Sequence, residues 1–93
     1  MSTENVDKIN AAQCRAARGL LDMTQPDLGY AAGLGLSTIV DFERNRRAVS
    51  PAAIAAIRRA LEVAGIEFID ENGNGAGVRL RKSVRSRKGK GGT

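Results

Sequence analysis

Few residues of this chain are equipped for bond-making chemistry. Cys14 is its single cysteine and histidine is absent, so the usual catalytic triads and most zinc sites lose a required member. Cys14 falls in an alanine-rich, helix-like segment and reads as a small apolar core side chain that no neighbour activates. The run Asn72-Gly73-Asn74-Gly75-Ala76-Gly77 has the glycine content of a phosphate cradle, but no helix follows it, so it reads as a flexible turn. No catalytic residue, metal ligand or cofactor is assigned, and the chain is not expected to be an enzyme. One stretch poses a different question: between Thr24 and Arg47, two short helix-like segments are separated only by Gly33-Leu34-Gly35, and the second carries Asp41 between Val40 and Phe42.

The elements that must position this stretch follow from local chemistry. Ile9, Ala12, Ala16 and Leu20 recur at spacings of three, four and four, which predicts an apolar stripe on a first helix from about Val6 to Leu21. The second helix starts at Thr24, a preferred cap, with Pro26 in the first turn and Asp27 near the positive end of the dipole. Met23 and Leu28 have the spacing of a hydrophobic staple, Leu28, Ala31 and Ala32 face inward, and Gly33 supplies a left-handed stop. The third helix spans Leu36 to Arg44 from a Gly35 cap, burying Ile39 and Phe42, with Asn45 as a left-handed exit. Ser50-Pro51 opens a fourth helix whose stripe of Ile54, Ile57, Leu61 and Ala64 ends at Gly65. Helices this short are marginal alone and must be held by packing. Beyond Gly65, IEFIDE and VRLRK predict a β-hairpin with an acidic and a basic strand whose charges pair across it.

Length and charge bound the rest. Ninety-three residues suit one small domain with a modest core. No run approaches the roughly 18 apolar residues of a membrane span, and the amino-terminus lacks a signal pattern, so a cytoplasmic location is expected. The net charge of +5 is a property of the tail: seven bases and no acid follow Val78, while residues 1–78 hold eight bases and ten acids. Such an extension is an electrostatic attachment to nucleic acid or a solubilising tail. SVRSRKGKGGT, residues 83–93, lacks the apolar residues to fold and reads as disordered.

Thr24-Gln25, a compact helix, Ala32-Gly33, a three-residue turn, Ser37-Thr38-Ile39 and Phe42-Glu43-Arg44 together resemble the helix-turn-helix of the phage-repressor-like bacterial regulators, the Xre or Cro/C1 type. The resemblance covers about residues 9–64 and implies a four-helix, lambda-repressor-like domain over residues 1–65, followed by the hairpin (66–82) and tail (83–93). It implies a sequence-specific double-stranded DNA-binding transcriptional regulator that inserts its third helix into the major groove. On that resemblance Thr24 and Gln25 lie at the helix start that holds a phosphate. Leu36, Ser37 and Asp41 face base edges, and Thr38 touches backbone or base. Arg44, Arg46 and Arg47 grip phosphate, and Arg18 pairs with Glu43 to link the first and third helices. Departures from the family pattern matter. Leu36 offers only apolar contact, such as with a thymine methyl, and Gly35 stands where relatives have Ser. Asp41 has two readings, an acceptor for cytosine N4 or a surface acid pairing with a nearby arginine such as Arg44.

The resemblance also implies a homodimer on a two-fold site, with half-sites about 34–36 Å apart. Ile66, Phe68, Ile69, Val78 and Leu80 are the candidate pairing surface, because a peripheral ribbon should not expose so many apolar side chains. The competing reading packs that side onto the first and fourth helices. A different class of function stays open: a protein-interaction module such as an antitoxin or adaptor, engaging a partner through the hairpin or tail. Tyr30, Phe42 and Phe68 are the only aromatics, which leaves no stacking platform for single-stranded RNA.

Overall fold

A computed structural model describes residues 8–71 and 73–81. Four helices, α1 (Ala11–Leu21), α2 (Gln25–Ala32), α3 (Leu36–Glu43) and α4 (Pro51–Ala64), precede an antiparallel hairpin of β1 (Ile66–Ile69) and β2 (Gly77–Leu80). The chain is thus mainly helical with a small hairpin at its end, as its patterning predicts. The basic tail at 83–93 lies outside the described residues. Among the described residues no helix is long and apolar enough to cross a membrane.

Local chemistry fixes the helix ends. Asn10, Thr24 and Ser50 each accept a hydrogen bond from the backbone N–H three residues on, at 2.7, 3.0 and 3.1 Å. Gln13 and Asp27 return the bond to the cap's own N–H, completing two capping boxes. The first helix starts at Ala11 rather than Val6, because Asn10 holds extended backbone and caps it. Only α3 begins without a side-chain cap, on Gly35.

The approach of α2 to α3 depends on small residues at two places. Gly33 takes φ 71° and ends α2 in the left-handed region. Gly29 lets the turn fold back: the Leu34 N–H donates to the Gly29 carbonyl at 2.9 Å, and a β-carbon on Gly29 would lie 2.9 Å from the Leu34 carbonyl oxygen.

The core gathers Ile9, Cys14, Ala17, Leu28, Ile39, Phe42, Ile57, Leu61, Ile66 and Phe68. Full burial of each large apolar side chain stabilises the fold by about 1.5–3 kcal/mol. The inward face of α1 differs from the expected stripe. Ala11, Gln13, Cys14 and Ala17 are buried, whereas Ala12, Ala16 and Leu20 face solvent. In an alanine-rich helix two parallel stripes have equal spacing, and little side-chain volume distinguishes them. Ala31 on α2 is likewise exposed, while Leu28 and Gly29 are buried.

A second correction concerns the hairpin. Ile66 and Phe68 are buried in the monomer's core, with Val78 and Leu80 packed beside them and Ile69 half-buried. β1 lies against α4 and β2 against α1, so Ile66 and Phe68 of the side offered as a pairing surface are covered within one chain, while Ile69, Val78 and Leu80 are half-buried. The hairpin and the helices thus share one core. The buried amide of Gln13 clamps the arrangement, donating to the Ile69 and Gly77 carbonyls at 3.3 and 3.1 Å. Arg58 lies 5.1 Å from the ring centre of Phe68, at cation–π distance. On the outer side Glu67 pairs with Arg79 at 3.0 Å, as the alternating charges predict.

Gly29→Val should lower stability by about 1–3 kcal/mol, the cost of overpacking a tight site. Urea denaturation checks it; an unchanged midpoint would mean that the α2–α3 turn adjusts freely.

Candidate nucleic-acid interface

The site is organised around one carboxylate. Glu43, the last residue of α3, is 2 % exposed, and such a charge needs donors to offset its desolvation. Arg18 on α1 supplies two, from Nε to Oε2 and from Nη2 to Oε1, both at 2.7 Å. The Cys14 thiol donates to Oε2 at 3.0 Å and the Gln25 amide to Oε1 at 3.0 Å. The structure therefore contains the Arg18–Glu43 pair that the resemblance implies, with two further donors. Burial alone would raise the Glu43 pKa, but the hydrogen bonds from Arg18, Cys14 and Gln25 outweigh it and hold the group below the ordinary carboxylate range. The bond to Glu43 pushes Arg18 up, and burial, then the bond to Glu43, pushes the Cys14 thiol up, away from the reactive thiolate.

The same cluster fastens the neighbouring chain ends. Arg18 Nη1 donates to the Met23 carbonyl at 3.0 Å, holding the α1–α2 turn. Arg15 Nη1 donates to the Glu43 carbonyl at 2.6 Å and so caps the carboxyl end of α3. This role of Arg15 needs the crossing of α1 and α3, which spacing along one helix does not give.

With its carboxyl end fixed, α3 turns its other side outward. Leu36 is 48 % exposed, Ser37 is exposed and Thr38 is half-buried, while Ile39 and Phe42 point into the core. Ser37, Val40 and Asp41 lie on one helical face at spacings of three and four, and Val40 is half-buried there. Val40 is an addition to the expected set, and its spacing from Ser37 was the available signal.

Several expected contacts are arranged differently. Gln25 is at the start of α2, but its side-chain N–H donor, offered to phosphate in the sequence reading, is engaged by Glu43. The Thr24 hydroxyl caps α2 by accepting from the Asp27 N–H. Asp41 pairs with Arg47 at 2.6 Å and more loosely with Arg46 at 3.9 Å, not with Arg44. The cause is the chain reversal at Asn45, φ 54°, after which the Arg46 N–H donates to the Asp41 carbonyl at 2.9 Å. Arg44 is exposed and lines an open cleft of about 810 Å³ with Arg15, Arg18, Thr24 and Gln25. Arg79 and Arg81, counted in the basic tail by sequence, are tied down by Glu67 and by the Glu62 carbonyl.

The arrangement offers a projecting helix flanked by guanidinium groups, which suits hydrogen bonding and charge recognition. Among the described residues no cluster of three or more His, Cys, Asp or Glu could hold a metal ion. Neither a protein-family model nor a curated protein matches the chain.

Removing Arg18 leaves the Glu43 carboxylate buried without its cation, a loss of about 3–5 kcal/mol. Arg18→Ala should therefore melt far below wild type, and a variant with wild-type melting would contradict the role assigned to this pair. Because the folded Glu43 pKa is depressed, its contribution is present above the unfolded value of about 4.3 and is lost as pH falls through the folded value. Glu43→Gln should flatten the acid limb of a melting-temperature profile in that window; an unaltered limb would assign acid sensitivity to other groups.

Proposed function

We propose that this chain is a sequence-specific double-stranded DNA-binding regulator of transcription that seats α3 in the major groove, with two copies on a two-fold site. The observation that carries this reading is the outward side of α3. Leu36 and Ser37 are exposed, on a helix whose far end is locked by Glu43 and braced by α2. A groove about 12 Å wide admits one helix of this size, and a partner helix across the backbone sets its angle. The resemblance of residues 9–64 to the Xre-type regulators supports the same reading.

Leu36 and Val40 offer apolar contact, as with thymine methyls, and Ser37 donates or accepts without strong preference. Direct readout is accordingly sparse, and phosphate contacts from Arg44, Arg46, Arg47 and the cleft beside α2 supply most of the affinity. Such binding weakens steeply with salt, with a slope of about −0.9 per phosphate neutralised. Two copies meeting through the hairpin would have only its half-buried residues Ile69, Val78 and Leu80 to offer, since Ile66 and Phe68 are buried in the monomer.

A second reading, a protein-interaction module, draws on Tyr30 and Val63, which are 91 % and 79 % exposed. Val63 edges an α2–α4 groove formed with Ala31, Ala32, Ala56 and Ala60. A stable heteromeric partner without duplex preference would favour it.

Ser37→Glu discriminates the two. The substitution places a carboxylate in the first turn of α3, where the helix dipole tolerates it, so folding is preserved while a duplex is repelled. Gel retardation at physiological salt should be lost, with the melting temperature within a few degrees of wild type. Undiminished retardation would remove α3 from the interface.

A further inference from the structure

Asp41 stands among groups that would meet a duplex, yet its charge opposes one. We propose that Asp41 is an internal competitor for phosphate: its carboxylate holds Arg47, and more loosely Arg46, until a duplex phosphate displaces it, which keeps affinity for arbitrary sequence low. This inference rests on the DNA-binding reading and specifies how the same site is regulated.

The geometry favours a partner that can be exchanged. Arg47 Nε donates to Asp41 Oδ2 at 2.6 Å, and Arg46 Nε lies 3.9 Å from Oδ1. The carboxylate is largely covered, 19 % exposed, while the two arginine side chains are 58 % and 56 % exposed. The acid is thus anchored on α3 and the cations remain open to solvent on their outer sides. Arg46 is also held by its backbone bond to the Asp41 carbonyl, so the loop stays in place when the side chains let go. Exposed ion pairs contribute little stability, whereas a displaced counterion on DNA favours binding for every phosphate neutralised. A phosphate can therefore take Arg47 from Asp41 where the rest of the interface fits. On a poorly fitting duplex, Arg47 stays neutralised. Among the described residues Arg44 pairs with no acid, so it attracts any duplex alike.

A double-mutant cycle on the full chain tests the competition, with affinity for a random-sequence duplex measured across a salt series. Asp41→Ala should tighten binding by about two- to fivefold, the scale of one exposed ion pair, and steepen the salt slope by about one phosphate contact. Arg47→Ala alone should change affinity by less than about twofold, but in the Asp41→Ala background it should abolish the gain, a coupling that independent sites do not give. A gain that persists without Arg47 overturns the proposal in favour of general charge. Loss of one preferred sequence with no gain on random duplex overturns it in favour of base reading. Wild-type protein that binds but shows no coupling defeats this proposal alone. Wild-type protein that retards no duplex defeats the DNA-binding reading and this proposal with it.

Discussion

The burial of one carboxylate constrains three of the four helices. Glu43 is withdrawn from water, and its two oxygens are met by donors from two other helices: Arg18 and Cys14 on α1, and Gln25 on α2. A charge placed there without them would be strongly destabilising. The three helices consequently have little freedom to slide, because any shift that lengthens one of these bonds exposes the cost of the buried charge. Apolar packing around Leu28, Ile39 and Phe42 supplies the bulk of the stability; the carboxylate supplies direction.

That direction explains the division of labour along α3. Its carboxyl end is tied down by the Glu43 side chain and by Arg15 on the Glu43 carbonyl, and its amino end projects with an uncapped Gly35 and exposed Leu36 and Ser37. The proposed DNA-binding role rests on this asymmetry and on the cations grouped beside it. It also accounts for the conflict at Asp41, an acid placed where phosphates would come, whose partners are the same arginines a duplex would recruit.

Much of this was legible from sequence because it is local. Thr24 and Ser50 as caps, Gly33 as a stop, Asn45 as an exit and the Glu67–Arg79 pairing each depend on neighbours within one element or one hairpin. The Arg18–Glu43 link came from resemblance and is present. What sequence misplaced depends on how elements meet. The alanines of α1 give two equivalent stripes, so its inward side is decided by Cys14 and Gln13 engaging other elements. The hairpin's apolar side faces the helices because a four-helix body this small leaves α1 and α4 partly uncovered, and Ile66 and Phe68 fill the gap. The partner of Asp41 is Arg47, not Arg44, since the reversal at Asn45 brings the later residue back over the helix.

The most direct test is a nuclear magnetic resonance titration of the isotope-labelled chain with duplex DNA selected from a random pool. The account predicts that amide shifts and intermolecular contacts concentrate on Leu36–Asp41 and the start of α2, while β1 and β2 keep their free-state positions. Perturbations confined to the hairpin or to α4, with α3 silent, would contradict it.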